Sequence, residues 1–210
     1  KELYPAVNIK NAYNMIVKLR MVKNEDEIAL IKESIATTKE AILNVMKHHE
    51  ELDNEMLAEA YHSFVLHKDG KRESFGSIVA AGRNAATLHY EDNNMPINKN
   101  EMLLMDVGCY TKNYSSDITR TFPVSGKFTE RQKAVYEVVL DCNKKCIEYA
   151  KAGMSWLEIN NYAKSILADG CKKLGLIKED AELSKYYLER YSNDLHIFKN
   201  VYTFCLFIAM

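Results

Sequence analysis

The chain has 210 residues, 47% of them hydrophobic, and its 28 Lys and Arg nearly balance 29 Asp and Glu for a net charge of −1. That length suits one domain built around a single sizeable core, and near-neutral charge excludes the basic footprint of a nucleic-acid binder. The most apolar run, VYTFCLFIAM at 201–210, is half the roughly 20 residues a bilayer span requires, so no membrane partner is expected.

Residues 1–20, with Pro5 and little periodicity, read as a lead-in or a linker from an upstream domain, and 21–210 as the domain proper. Asn24 followed by Glu27 predicts a capped helix start. Ile28, Ile31, Ile35, Ile42 and Val45 recur behind it at helical spacing and predict one buried face. A second helix is predicted from about Asn54 to His67, with Asp69-Gly70 turning into an extended run over 74–81. The stretch 74–124 is strand-like, with turn residues between its apolar runs.

Helices then return. Thr129 with Gln132 and Ser155 with Glu158 form two capping boxes, and Gly175 stops the second helix. Val135, Val138, Val139 and Cys142, then Ile159, Tyr162 and Ile166, mark their apolar faces. The order predicts an α+β class. It also suggests two related halves, each opening on a helix pair, with the second half incomplete and 201–210 serving as a strand or core plug.

Five cysteines, at 109, 142, 146, 171 and 205, form no CxxC pair and follow no signal-like start, which points to a reducing, cytoplasmic setting. Cys142 and Cys146 continue an apolar helix face and read as core.

The run LLMDVGCYTKNYSSDITRTFPVSG at 103–126 places a lone aspartate in each of two strand-like segments. Alternation puts Asp106 on a face with Leu104 and Gly108, and Asp117 on a face with Thr119 and Thr121. A four-residue loop, Tyr110 to Asn113, would pair Cys109 with Tyr114 and set Asp106 directly opposite Asp117. Opposed Cβ atoms lie about 4.5–5.5 Å apart, and two carboxylates there repel by roughly 4 kcal/mol at an intermediate dielectric. A shared proton or a divalent cation such as Mn²⁺, Zn²⁺ or Co²⁺ would offset that repulsion. The alternative has Asp117 capping a turn and Asp106 paired with Arg120. Spacing leaves both open.

The segments SIVAAGRNAATLHYEDN (77–93) and LLMDVGCYTKNYSSDITRTFPVSGKFT (103–129) resemble the catalytic domain of the Xaa-Pro aminopeptidase and Xaa-Pro dipeptidase family. The resemblance runs over about 19–187, from LRMVKNEDEI through GMSWLEI. Methionine aminopeptidases share that fold, but the wording of both segments is nearer the proline-directed branch. The resemblance implies a pita-bread fold and a dinuclear metal site, with Mn²⁺ the first choice and Zn²⁺ or Co²⁺ as alternatives. It implies that Asp106 and Asp117 are metal ligands and that His89 binds and polarises the scissile peptide group. The implied reaction is hydrolysis of the bond preceding proline by a hydroxide generated at the metals, with a glutamate as base. The implied partner is a peptide with proline at its second position, and a homodimer is compatible with it.

The pattern then departs from the family. Its remaining ligands come from an HGxxHxxGLDxHD segment and two later glutamates, whereas this chain reads LERYSNDLHIFKNVYTFCLFIAM from 188. His196, Glu182 and Glu189 are poor substitutes, and His48, His49, His62 and His67 suit surface or packing roles on the first two helices. The expectation is a catalytic domain trimmed at the front and altered or truncated at the back, inactive or weakly active, with fewer than two metal equivalents. The alternative is a degenerate pita-bread domain that binds peptides or proteins without catalysis. A third option has a second copy supply missing strands at an open sheet edge.

Overall fold

Capping chemistry sets the helix starts in the computed structural model, which describes residues 10–177. Asn24 accepts from the Glu27 N–H at 2.9 Å and Glu27 accepts from the Asn24 N–H at 2.7 Å, opening the long helix α2 at Glu25–Lys47. It follows α1, Tyr13–Met21, a helix with no buried residue that forms in a stretch lacking apolar periodicity. Asn54 caps α3, Glu55–Lys68, and the chain continues through β1 (Arg72–Glu73) and β2 (Ile78–Ala81) into a 3₁₀ turn at Gly82–Ala86. The strands β3 (Met102–Val107), β4 (Cys109–Thr111), β5 (Tyr114–Ser115) and β6 (Ile118–Pro123) come next. Both predicted capping boxes are formed, at the starts of α4 (Glu130–Tyr149) and α5 (Trp156–Lys173).

The strands make two antiparallel three-stranded sheets, β2-β3-β6 and β1-β4-β5. One face of β2-β3-β6 presents Val79, Ala81, Leu103, Met105, Val107 and Phe122, which pack on Ile42, Val45, Leu52 and Ala58 from α2, α3 and their connection. Burying these side chains is the main source of stability for this half. The α4–α5 pair has its own core of Cys142, Cys146, Ala163 and Leu167. Its close approach needs Gly170, where an added Cβ would come within 2.2 Å of Val138 Cγ1.

The predicted isoleucine face of α2 holds only in part. Ile42 and Val45 are buried, but Ile28 and Ile35 are 40% and 42% exposed. Ser34, Thr37, Thr38 and Ala41 are buried instead. Polar bonds decide this: Ser34 Oγ donates to the Tyr114 carbonyl at 3.0 Å, and Thr38 Oγ1 lies 2.7 Å from Ser116 Oγ. Small hydroxyls satisfy the β4–β5 ribbon in a way that isoleucine cannot.

His196, Glu182, Glu189 and the run 201–210 lie outside the described residues.

Candidate active site

The two aspartates are brought together, but by a different register. Asp106 pairs with Thr119, not Asp117, and Thr111 pairs with Tyr114. The loop is therefore the two residues Lys112 and Asn113, both left-handed at φ 46° and 72°, as a type I′ hairpin turn demands. The expected four-residue loop is corrected by this tighter turn. Because the change moves the partner by two residues and side chains alternate with period two, Asp117 stays on Asp106's face as its diagonal neighbour.

The ladder breaks between the two sheets at Gly108. A Cβ there would come within 2.1 Å of both the Ser116 carbonyl and Ser74 Oγ, so only glycine lets these backbones approach. Ser74 closes the seam by donating through its N–H to the Gly108 carbonyl at 3.2 Å and through Oγ to the Ser116 carbonyl at 2.8 Å. Ser116 Oγ accepts from the Cys109 N–H at 2.9 Å. Asp117 follows directly, so its position is fixed by buried backbone bonds on its N-terminal side.

Asp106 is half-buried and Asp117 exposed. Thr119 Oγ1 donates to Asp106 Oδ1 at 2.8 Å. The Asp117 carboxyl is raised from 3.8 to about 6, first by loss of water around it and then by the charge of Asp106 and a hydrogen bond between the two groups. The exposure of the residue as a whole shows that desolvation is incomplete, so the neighbouring carboxylate is the more distinctive cause. Arg120 does not relieve it. Its Nη1 donates to the Thr119 carbonyl at 2.7 Å, and its strand position, opposite Met105, is on the other face. Among the described residues neither aspartate has an ion-pair partner.

A pair of oxygen donors that competes for a proton and lacks a cationic neighbour suits a hard or borderline divalent ion. The fit is partial. Among the described residues no group of three or more His, Cys, Asp or Glu gathers around a common point. Cys142 and Cys146, with sulfurs 4.0 Å apart, are buried core thiols, as their flanks predict.

His89 is exposed, in a turn after the 3₁₀ segment, with a left-handed φ of 53°. Among the described residues it makes no hydrogen bond or ion pair with Asp106 or Asp117. The next residue, Tyr90, bonds to a residue that sequence reasoning missed. Glu55, 0% exposed, accepts four hydrogen bonds. Oε1 accepts from the Ala81 N–H at 2.8 Å and Asn84 Nδ2 at 2.9 Å; Oε2 accepts from the Tyr90 hydroxyl at 2.6 Å and the Met95 N–H at 3.1 Å. Burial, followed by Glu55, pushes the Tyr90 phenol up to about 12. A Glu just after an N-cap is ordinarily a solvated first-turn residue, so nothing in the sequence marked it.

The sequence profile of metallopeptidase family M24 matches residues 29–192. A protein named as a probable Xaa-Pro aminopeptidase from Phaeosphaeria nodorum is 39% identical over 180 residues, 85% of this chain and 39% of that relative. A solved structure assigned to aminopeptidase P from Bacillus anthracis superposes with a TM-score of 0.83 at 45% identity, over 88% of this chain and 44% of that one. Zinc-substituted Escherichia coli aminopeptidase P in complex with product gives a TM-score of 0.78 at 29% identity, over 85% and 40%. The chain thus spans less than half the length of these relatives, and the part it spans has their pita-bread architecture.

Proposed function

The chain belongs to metallopeptidase family M24, whose members use divalent metal ions, and from that premise we propose that it carries part of a site for Xaa-Pro peptide hydrolysis. Asp106 and Asp117 contribute two carboxylate ligands, and His89 contacts the peptide group before proline. Mn²⁺ is the first-choice ion, with Zn²⁺ and Co²⁺ as alternatives. When bound, a divalent ion supplies electrophilic polarisation and makes a water more acidic. The chain's own residues do the rest. Thr119 holds Asp106 by its Oδ1, the Gly108 and Ser116 seam fixes Asp117 beside it, and the 82–90 turn presents His89 to solvent. The buried thiols at 109, 142, 146 and 171 suit a reducing, cytoplasmic setting.

The observation that carries this reading is the Asp106–Asp117 pair, two acidic groups on one sheet face with no basic partner among the described residues. A second reading, a peptide-binding domain without catalysis, is favoured by the gathering there of only two donor residues among the described ones. Titration of the metal-free chain with Mn²⁺, followed by Ala-Pro hydrolysis, separates the two. We expect fewer than two equivalents bound, loss of uptake in both Asp106→Asn and Asp117→Asn, and slow turnover. Uptake that survives both substitutions overturns the metal assignment. Metal uptake with peptide binding but no turnover selects the second reading.

A further inference from the structure

We infer that Glu55 is a positioning residue: from the start of α3 it clamps the segment 81–95 so that His89 is held in its left-handed turn at the surface. The role assigned to His89 in peptide binding rests on the proposed function above; the clamp itself does not.

A carboxylate that is fully buried needs compensation, and among the described residues Glu55 gets it without a cation. Its four donors come from the last residue of β2 and the connection that follows, at residues 81, 84, 90 and 95. Hydrogen bonds to a charged acceptor are the strong kind. Asn84 is bonded to Tyr90 as well, its Nδ2 donating to the Tyr90 hydroxyl at 3.1 Å. Glu55, Asn84 and Tyr90 thus close a triangle whose two loop corners bracket residues 85–89. A second tie lies just beyond. Asn93 accepts from the Val79 N–H at 2.8 Å and donates to the Ser77 carbonyl at 2.7 Å, folding the segment back on the outer edge of β2.

His89 sits inside that bracket, directly before Tyr90, at φ 53°. A non-glycine residue in this region persists where the surroundings over-determine it. Within the bracket, the Thr87 N–H donates to the Asn84 carbonyl at 2.8 Å. Both corners that flank His89 rest on Glu55, and the clamp acts on His89 through them. Glutamine at this position keeps the shape but turns one acceptor oxygen into a donor facing existing donors.

The test compares the wild-type chain with Glu55→Gln and Tyr90→Phe by amide hydrogen exchange. Exchange over 85–95 should quicken by about ten-fold or more in both, the scale of one hydrogen bond to a charged group, while α4 and α5 keep wild-type rates. Unchanged rates over 85–95, or equal acceleration in α4 and α5, overturn the clamp. Tyr90→Phe loses a single hydroxyl and decides the matter if Glu55→Gln does not fold. Affinity for Ala-Pro-Ala is then measured in Tyr90→Phe, His89→Ala and the double variant. The double variant should bind no more weakly than His89→Ala alone. Additive losses overturn action through His89. An unaltered affinity in His89→Ala refutes the proposed function and leaves the clamp to be judged by exchange alone.

Discussion

Replacing Asp117 by Asn removes a charge that the folded chain tolerates poorly, so Asp117→Asn is expected to stabilise the metal-free protein. The Asp117 carboxyl titrates at about 6 in the fold against an ordinary 3.8. Between those values the folded state binds more protons than the unfolded one, so the stability linked to this group is present in acid and lost as pH rises. The penalty starts to build near pH 3.8 and is complete above about pH 6. In a site shut off from solvent that difference would be worth about 3 kcal/mol; Asp117 is exposed, and screening reduces it to about 1 kcal/mol. Urea denaturation at pH 8 should therefore show the variant more stable by about 1 kcal/mol, with the gap closing by pH 4. Saturating Mn²⁺ should reverse the order, because ligand at 100 times its Kd adds about 2.7 kcal/mol to the form that binds it. Equal stabilities at pH 8 without metal, or a gap undiminished at pH 4, would refute the claim that Asp106 and Asp117 repel each other.

His62, fully buried and among the described residues without a hydrogen-bond partner on either ring nitrogen, titrates at about 4 against an ordinary 6.5 because burial disfavours its charge. Its neutral form is the folded form, so wild-type stability is full above pH 6.5 and falls by up to about 3 kcal/mol as pH drops toward 4. His62→Leu should flatten that fall in urea titrations at pH 7.5 and 4.5. Gly108→Ala, with Ser116 and Ser74 oxygens 2.1 Å from the new Cβ, should cost about 3 kcal/mol or more by denaturation and weaken Mn²⁺ uptake, since the seam positions Asp117. Ser116→Ala leaves the Cys109 N–H without the hydroxyl it donates to and should cost about 1–3 kcal/mol.

What could be read in the sequence follows from which forces are local. The caps read at Asn24, Thr129 and Ser155 lie within three residues of the N–H groups they accept from, and all three form. The shared face of Asp106 and Asp117 was also legible, because parity along a strand survives any error of two in register. The register was not, since it depends on Lys112 and Asn113 both adopting positive φ, and Lys gives no hint of that. The Ile28 and Ile35 positions misled for a tertiary reason. Ser34 and Thr38 find partners 80 and 78 residues away, and those bonds rotate α2 away from its isoleucines. Glu55 was invisible for the same reason, as its donors are 26 to 40 residues distant.

Glu55 and Asp117 show why donor inventory, not burial, sorts carboxylates already satisfied by the fold from those left open to a cation. Glu55 is the more buried of the two, yet four donors on two oxygens use its acceptor capacity and leave an arriving ion little to replace. Asp117 is exposed, but its neighbour is another acid; Thr119 donates to Asp106, and the Asp117 carboxyl shares a hydrogen bond with the Asp106 carboxyl. A proton can settle that conflict weakly and a divalent cation more fully, with two charges and open coordination. On the proposed readings, the same residue class serves rigidity at the start of α3 and ion affinity on the sheet face. The difference lies in whether the fold supplies N–H and O–H groups to the oxygens or withholds them.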